Sequence, residues 1–155
     1  MIMRVLGLDY GSKTIGVAVS DPMGWTAQAL EVIRRPNPLD LVESLSRIGE
    51  LLREYSCGIV VLGLPLGLDG TAGENCEKIF QFKARLEKSF GITVLLEDER
   101  MTSVLAGQAI YDSGARGRKR EKIHKQAVDK IAAVYILQSY LDKSNRNKNY
   151  NEEVY

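Results

Sequence analysis

Hydrophobic positions change period several times along the chain, and the changes mark out its elements. Residues 3–9 (MRVLGLD) are rich in leucine and β-branched residues, and Tyr10-Gly11-Ser12-Lys13 follows as a turn. Residues 14–20 (TIGVAVS) alternate, with Ile15, Val17 and Val19 on one face, before Asp21-Pro22-Met23-Gly24 breaks the chain. A further apolar stretch at 28–34 gives three strands with short connections, the pattern of an antiparallel meander. Asn37 and Pro38 predict a helix start, the asparagine as cap and the proline at the first helical position, where its missing N–H costs nothing. Leu41, Val42, Leu45, Ile48, Leu51, Leu52 and Tyr55 then recur at helical spacing to about residue 55.

Gly58 to Leu64 is a continuous apolar run, as in a strand buried on both faces. Thr71 and Glu74 form a capping-box signature for a helix running to about Ser89, where Gly91 ends it. Ile92 to Glu97 reads as a fifth strand. Thr102 or Ser103 caps a short helix ending near Ser113, and Ile123 to Leu141 forms the last helix. The expected organisation is one domain over 1–142 followed by a polar, Asn-rich, frayed tail at 143–155. The order β-β-β-α-β-α-β-α-α implies an α/β fold with one mixed sheet: an antiparallel three-strand meander plus two parallel strands, flanked by helices. The ribonuclease H-like fold has this order, and so does half of an actin-type ATPase.

Composition narrows the class. A chain of 155 residues with 45% hydrophobic content and a net charge of +1 has the makeup of a folded domain. Cys57 and Cys76 are too few for a disulfide scaffold or a four-ligand zinc site, and read as reduced core residues of a cytoplasmic protein. The longest apolar run, Gly58 to Leu68, includes a proline and falls well short of the ~20 residues needed to span a bilayer. The amino terminus reaches Asp9 without a signal-peptide apolar region. The near-neutral total hides one basic segment, in which Arg116, Arg118, Lys119, Arg120, Lys122 and Lys125 are opposed only by Glu121. Such a segment suits contact with a polyanion, or else a solvated interhelical loop.

Three acidic positions carry the candidate chemistry. Asp9 closes the first strand, where an apolar neighbourhood makes a lone carboxylate costly unless it is paired or bound to a metal; the alternative is a turn-capping aspartate. Glu97, Asp98 and Glu99 close the fifth strand. In open sheets ligands gather beyond the carboxyl ends of parallel strands, so the first and fifth strand ends can converge on one site. Asp129 stands mid-helix among small apolar residues, facing the sheet edge or pairing with Lys125 four residues earlier. A cluster of oxygen ligands without His or Cys favours Mg²⁺ or Mn²⁺ over zinc. One or two such ions suit phosphodiester hydrolysis.

The segments GLDYGSKTIGVAVSD (7–21), VLGLPLGLDGT (61–71), LLEDERMTS (95–103) and HKQAVDKIAAVYIL (124–137) together resemble the YqgF, or RuvX, family across residues 1–142. That resemblance implies a ribonuclease H-like, cytoplasmic nuclease that depends on Mg²⁺ or Mn²⁺ and matures the 5′ end of 16S rRNA. Its catalytic, metal-holding acids fall on Asp9, Glu99 in the DER motif, and Asp129, with Glu97 the second choice for the middle carboxylate.

Gly11 and Lys13, with Ser12 and Thr14, could cradle a phosphate, or form an ordinary hairpin turn. Arg100 could brace the scissile phosphate or neutralise Glu97 or Asp98. Arg116, Arg118, Lys119 and Arg120 could bind the nucleic-acid backbone. Residues 63–71 lead to a helix amino terminus, a ready anion site or a rigid turn. His124 reads as a helix-start residue, and Tyr10 and Trp25 as stacking platforms or packing.

The expected partner is structured RNA, a ribosomal precursor, or branched DNA, with the protein a monomer or homodimer. Cutting a four-way DNA junction symmetrically would need a dimer with paired sites. Two readings from other classes remain: a sugar-kinase-like ATPase, which needs a second copy of the fold, and a non-catalytic nucleic-acid-binding module.

Overall fold

The computed structural model describes residues 3–65, 73–99 and 117–154, with side chains in the last segment described for 130–151. Strands β1 (Arg4–Tyr10), β2 (Thr14–Ser20) and β3 (Ala27–Arg34) are followed by α1 (Val42–Glu54), β4 (Cys57–Leu64), α2 (Glu74–Phe90), β5 (Thr93–Asp98) and α3 (Gly117–Val154). The sheet runs β3-β2-β1-β4-β5. β1 pairs antiparallel with β2, and β2 with β3, while β4 is parallel to both β1 and β5. This is the mixed ribonuclease H-like sheet expected from the order of elements. The short helix expected before Ser113 lies outside the described residues.

Alternation along the strands builds a core on each face. Leu6, Leu8, Ile15, Val17, Val19, Val60, Leu62 and Val94 pack with Leu45, Ile48, Leu51 and Leu52 of α1 and Ile79, Phe82 and Leu86 of α2. On the other face Val5, Ala18 and Val61 pack under Ala133, Ile136, Leu137 and Leu141 of α3. β4 contributes to both, as its unbroken apolar run requires. Cys57 is half-buried and Cys76 buried, both as free thiols, and burial pushes the Cys57 thiol up to about 11.

Two glycines set how closely α3 approaches. A Cβ on Gly7 would stand 2.7 Å from the Leu137 Cβ and 3.2 Å from the Ala133 carbonyl oxygen; one on Gly63 would stand 2.5 Å from Ile136 Cδ1. Only residues without a side chain let the helix backbone rest on the strands here. The buried Ile136 and Leu137 each contribute ~1.5–3 kcal/mol relative to exposure.

Three helices differ from expectation in their boundaries. α1 begins at Val42 rather than Pro38, because side chains take the preceding N–H groups in turns. Asn37 Oδ1 accepts from Leu39 N at 3.0 Å, and Asp40 Oδ1 from Val42 N at 2.9 Å. α2 begins at Glu74 with Gly73 as its cap, so Glu74 is the first helical residue rather than the third that the expected capping box requires, and Thr71 lies outside the described residues. Gly91 does end α2, in the left-handed conformation at φ 61°. α3 starts before Ile123 and continues past Leu141 to Val154, since neither proline nor glycine interrupts residues 118–154. Among the described residues no helix is long and apolar enough to cross a membrane.

Gly7→Ala is expected to destabilise the fold by ~1–3 kcal/mol through overpacking against Leu137, measured as a lowered midpoint in urea unfolding at unchanged slope.

Candidate active site

The carboxyl ends of β1, β4 and β5 lie side by side. Leu8 pairs with Leu62 and Gly63 with Glu97, so Asp9, Gly63 and Glu97 form one row across three strands. The period of two puts Asp9 on the α3 face with Val5 and Gly7. β5 ends at Asp98, and the next residue, Glu99, donates its N–H to the Leu64 carbonyl at 3.2 Å. That bond is a further rung of the parallel β4–β5 ladder, so Glu99 stays on the same face as Glu97. Glu99 Oε2 comes within 2.7 Å of the point a Cβ on Gly63 would occupy. The absent side chain at Gly63 is the space the Glu99 carboxyl uses.

Asp9 and Glu99 meet there. Burial pushes the Glu99 carboxyl up to about 8, reinforced by the charge of Asp9, by a hydrogen bond with Asp9, and by the charge of Asp98. A hydrogen bond between two carboxyls needs a proton on one of them, and the raised Glu99 value keeps that proton on the pair at neutral pH.

Glu97, the alternative middle carboxylate, has a different environment. It is buried, accepts from Ser139 Oγ at 2.9 Å, and is ion-paired with Lys143 Nζ. Its lone pairs are engaged by α3, so it ties that helix to β5 while Glu99 turns toward Asp9. Lys143, expected in a frayed tail, is one end of this tie. Asp129 lies in α3, one turn before Ala133, and its side chain lies outside the described residues. Among the described residues no group of three potential ligands is assembled for a metal; the pair present is Asp9 and Glu99.

The β1–β2 turn is a closed hairpin. The Gly11 N–H donates to the Thr14 carbonyl at 2.9 Å, and a Cβ on Gly11 would stand 2.8 Å from that oxygen. The Gly11 amide is therefore engaged within the turn, whereas Lys13 is exposed on it. Tyr10 packs rather than presenting a free face: its ring stacks on Phe82 at 4.0 Å between centroids and 16° between planes. The Arg35 guanidinium lies 4.4 Å from the same ring. Trp25 is exposed on the turn before β3. Arg100, Arg116 and residues 66–72 lie outside the described residues, as do the side chains of Arg118, Lys119, Arg120 and His124.

Sequence reasoning missed Arg35, Ser139 and Lys143. Arg35 adjoins the exposed Arg34, and nothing in the local pattern separates the two. The only signal for the helix pair was its i, i+4 spacing.

The RuvX family model, described as Holliday junction resolvase, matches residues 3–143. A relative from Agathobacter rectalis is 46% identical over 140 residues, covering 90% of this chain and 95% of that protein. One from Acetivibrio thermocellus is 46% identical over 145 residues, covering 93% and 99%. Both are named, provisionally, pre-16S rRNA nuclease. Among solved structures the chain is similar to T. thermophilus RuvC in complex with Holliday junction substrate, at TM-score 0.49 and 17% identity over 90% of this chain and 93% of that one.

Between the ordinary Glu99 value of 4.5 and the folded value of about 8, the folded chain holds a proton that the unfolded chain has released. Stability of the metal-free protein is therefore expected to fall as pH rises through that window. Glu99→Gln should remove the slope and exceed wild type at pH 8 by roughly 1 kcal/mol or more, as read by chemical denaturation in EDTA.

Proposed function

The chain belongs to the RuvX family, and on that premise we propose that it is a nuclease hydrolysing phosphodiester bonds at the Asp9–Glu99 site. The observation that carries this reading is the contact between those two carboxyls at the ends of β1 and β5. Each is held by main-chain geometry in a position where ionising both is unfavourable. A hard divalent cation held there would relieve that repulsion, and an all-oxygen donor set suits Mg²⁺ or Mn²⁺. Asp9 and Glu99 would hold the ion, with Asp129 of α3 as the third carboxylate. When bound, the ion supplies charge stabilisation of the phosphoryl oxygens and lowers the pKa of water.

The chain's own residues do the rest. Asp9 and Glu99 would hold the cation as carboxylates, and without it the pair retains a proton. The Glu97–Lys143–Ser139 tie fixes α3, and with it Asp129, against β5. Lys13, exposed on the hairpin that follows Asp9, is placed to meet a substrate phosphate. Arg100 and the basic positions Arg116, Arg118, Lys119 and Arg120 add backbone contacts, in keeping with the salt-dependent affinity of nucleic-acid binding.

The substrate we favour is the 5′-extended precursor of 16S rRNA, acted on in the cytoplasm, because the relatives at 46% identity carry that name. The alternative is a four-way DNA junction, the substrate in the family's description, which would require a homodimer. Neither substrate suits a non-catalytic module, in which bare carboxylates would repel the nucleic acid.

Cleavage of a 5′-extended 16S rRNA fragment and of a four-way DNA junction, each in Mg²⁺, Mn²⁺ or EDTA, tests the proposal. Metal-dependent cutting of the RNA is expected, with Asp9→Asn and Glu99→Gln each lowering the rate by ~100-fold or more. Paired symmetric cuts in the junction alone would move the assignment to a resolvase, and full activity in Asp9→Asn would rule out the site.

A further inference from the structure

One buried charge is unexplained by the carboxylate site. Arg35 directly follows β3 and is only 7% exposed. No acidic residue among those described pairs with it. Its guanidinium donates instead to two main-chain carbonyls, Gly11 O and, at 2.7 Å, Pro38 O. Its Nε is buried without a hydrogen-bond partner. The same guanidinium lies 4.4 Å from the Tyr10 ring centroid, and Phe82 of α2 stacks on that ring at 4.0 Å. Two groups this close to one centroid must take opposite faces, so Tyr10 is sandwiched between Phe82 and Arg35. The Arg35 main-chain N–H completes the hold by donating to Lys13 O at 2.8 Å.

These contacts converge on one stretch. Tyr10, Gly11 and Lys13 are the residues that follow Asp9, and Arg35 touches each of them. A buried guanidinium given only neutral acceptors, with one donor unsatisfied, is a poor choice for stability; an apolar side chain of similar volume would cost less. Its planar fork does what no apolar residue can: it grips two carbonyls from different connections while stacking on an aromatic ring.

We propose that Arg35 is a positioning residue for the active site, clamping the Tyr10–Lys13 turn so that Asp9 meets Glu99 and Lys13 faces the substrate. It touches neither substrate nor metal and acts through Tyr10 and the Gly11 carbonyl. The proposal rests on the nuclease reading for its consequence, though the clamp itself does not.

Arg35→Met and Arg35→Lys are the variants that test it; the second keeps the charge and most of the stem but loses the fork. Each is compared with wild type in steady-state cleavage of the RNA fragment, in far-UV circular dichroism, and in ¹⁵N-amide spectra of the metal-free protein. The expected result is a kcat lowered by roughly 10–100-fold, the scale of a misplaced group. KM should stay within about threefold, and the Gly11, Ser12 and Lys13 amide signals should shift while the helical spectrum persists. Should Arg35→Met fail to fold, Arg35→Lys carries the test. A kcat within about threefold of wild type in the folded variant overturns the proposal, as does a loss of rate that only follows the unfolded fraction. If wild type itself cleaves nothing, the nuclease reading fails separately, and the amide spectra still decide: unchanged Gly11–Lys13 signals would exclude the clamp.

Discussion

The catalytic reading of this chain depends on two carboxyl groups brought together above a glycine. Asp9 arrives on β1 and Glu99 at the end of β5, with β4 between them, and Gly63 on β4 leaves the space where they meet. Any side chain at Gly63 would enter the volume now shared by the Glu99 carboxyl and Ile136. The strand glycines thus serve packing and chemistry together. Gly7 lets α3 rest on the sheet, and Gly63 lets the helix and an acidic group share one small space. The electrostatic strain that results is the ground on which a cation site is proposed.

The acidic triplet at the end of β5 divides its labour by geometry. Glu97, still within the strand, points to the α3 face and is engaged by Ser139 and Lys143. Glu99, one residue past the end of β5, keeps the same face and lies over Gly63, where it meets Asp9. Two positions apart, the two acids share the α3 face, and their neighbours separate an anchoring acid, met by Ser139 and Lys143, from a candidate catalytic one, met by Asp9. On the other side of Asp9, the Phe82–Tyr10–Arg35 stack and the closed hairpin fix the chain just beyond β1.

The strands were legible because their information is local. Thr14–Ser20 alternates cleanly, Gly58–Leu64 is apolar throughout, and Gly91 stops α2, and each has its expected place in the sheet. The start of α1 was not legible, since Asn37 and Asp40 are good caps and good turn formers alike, and the chain uses them for turns. The reach of α3 was hidden by its polar composition, which resembles a tail until Lys143 is seen against Glu97. Asp9 could be picked out as an acid closing an apolar strand. The choice of Glu99 over Glu97 came from the resemblance to a family motif, because strand parity treats the two alike. Arg35 was invisible: its meaning depends on a carbonyl 24 positions away, and sequence order does not display such a contact.

The central claim, that Asp9 and Glu99 share a proton that a divalent cation displaces, is most directly tested by ¹³C NMR titration of the side-chain carboxyl carbons in the metal-free protein, repeated with Mg²⁺. The account predicts that one member of the pair titrates near pH 8 without metal, assigned by its loss in Glu99→Gln, and that saturating Mg²⁺ moves this transition down by at least a unit. Ordinary titration of both carboxyls near pH 4, unmoved by Mg²⁺, would contradict it.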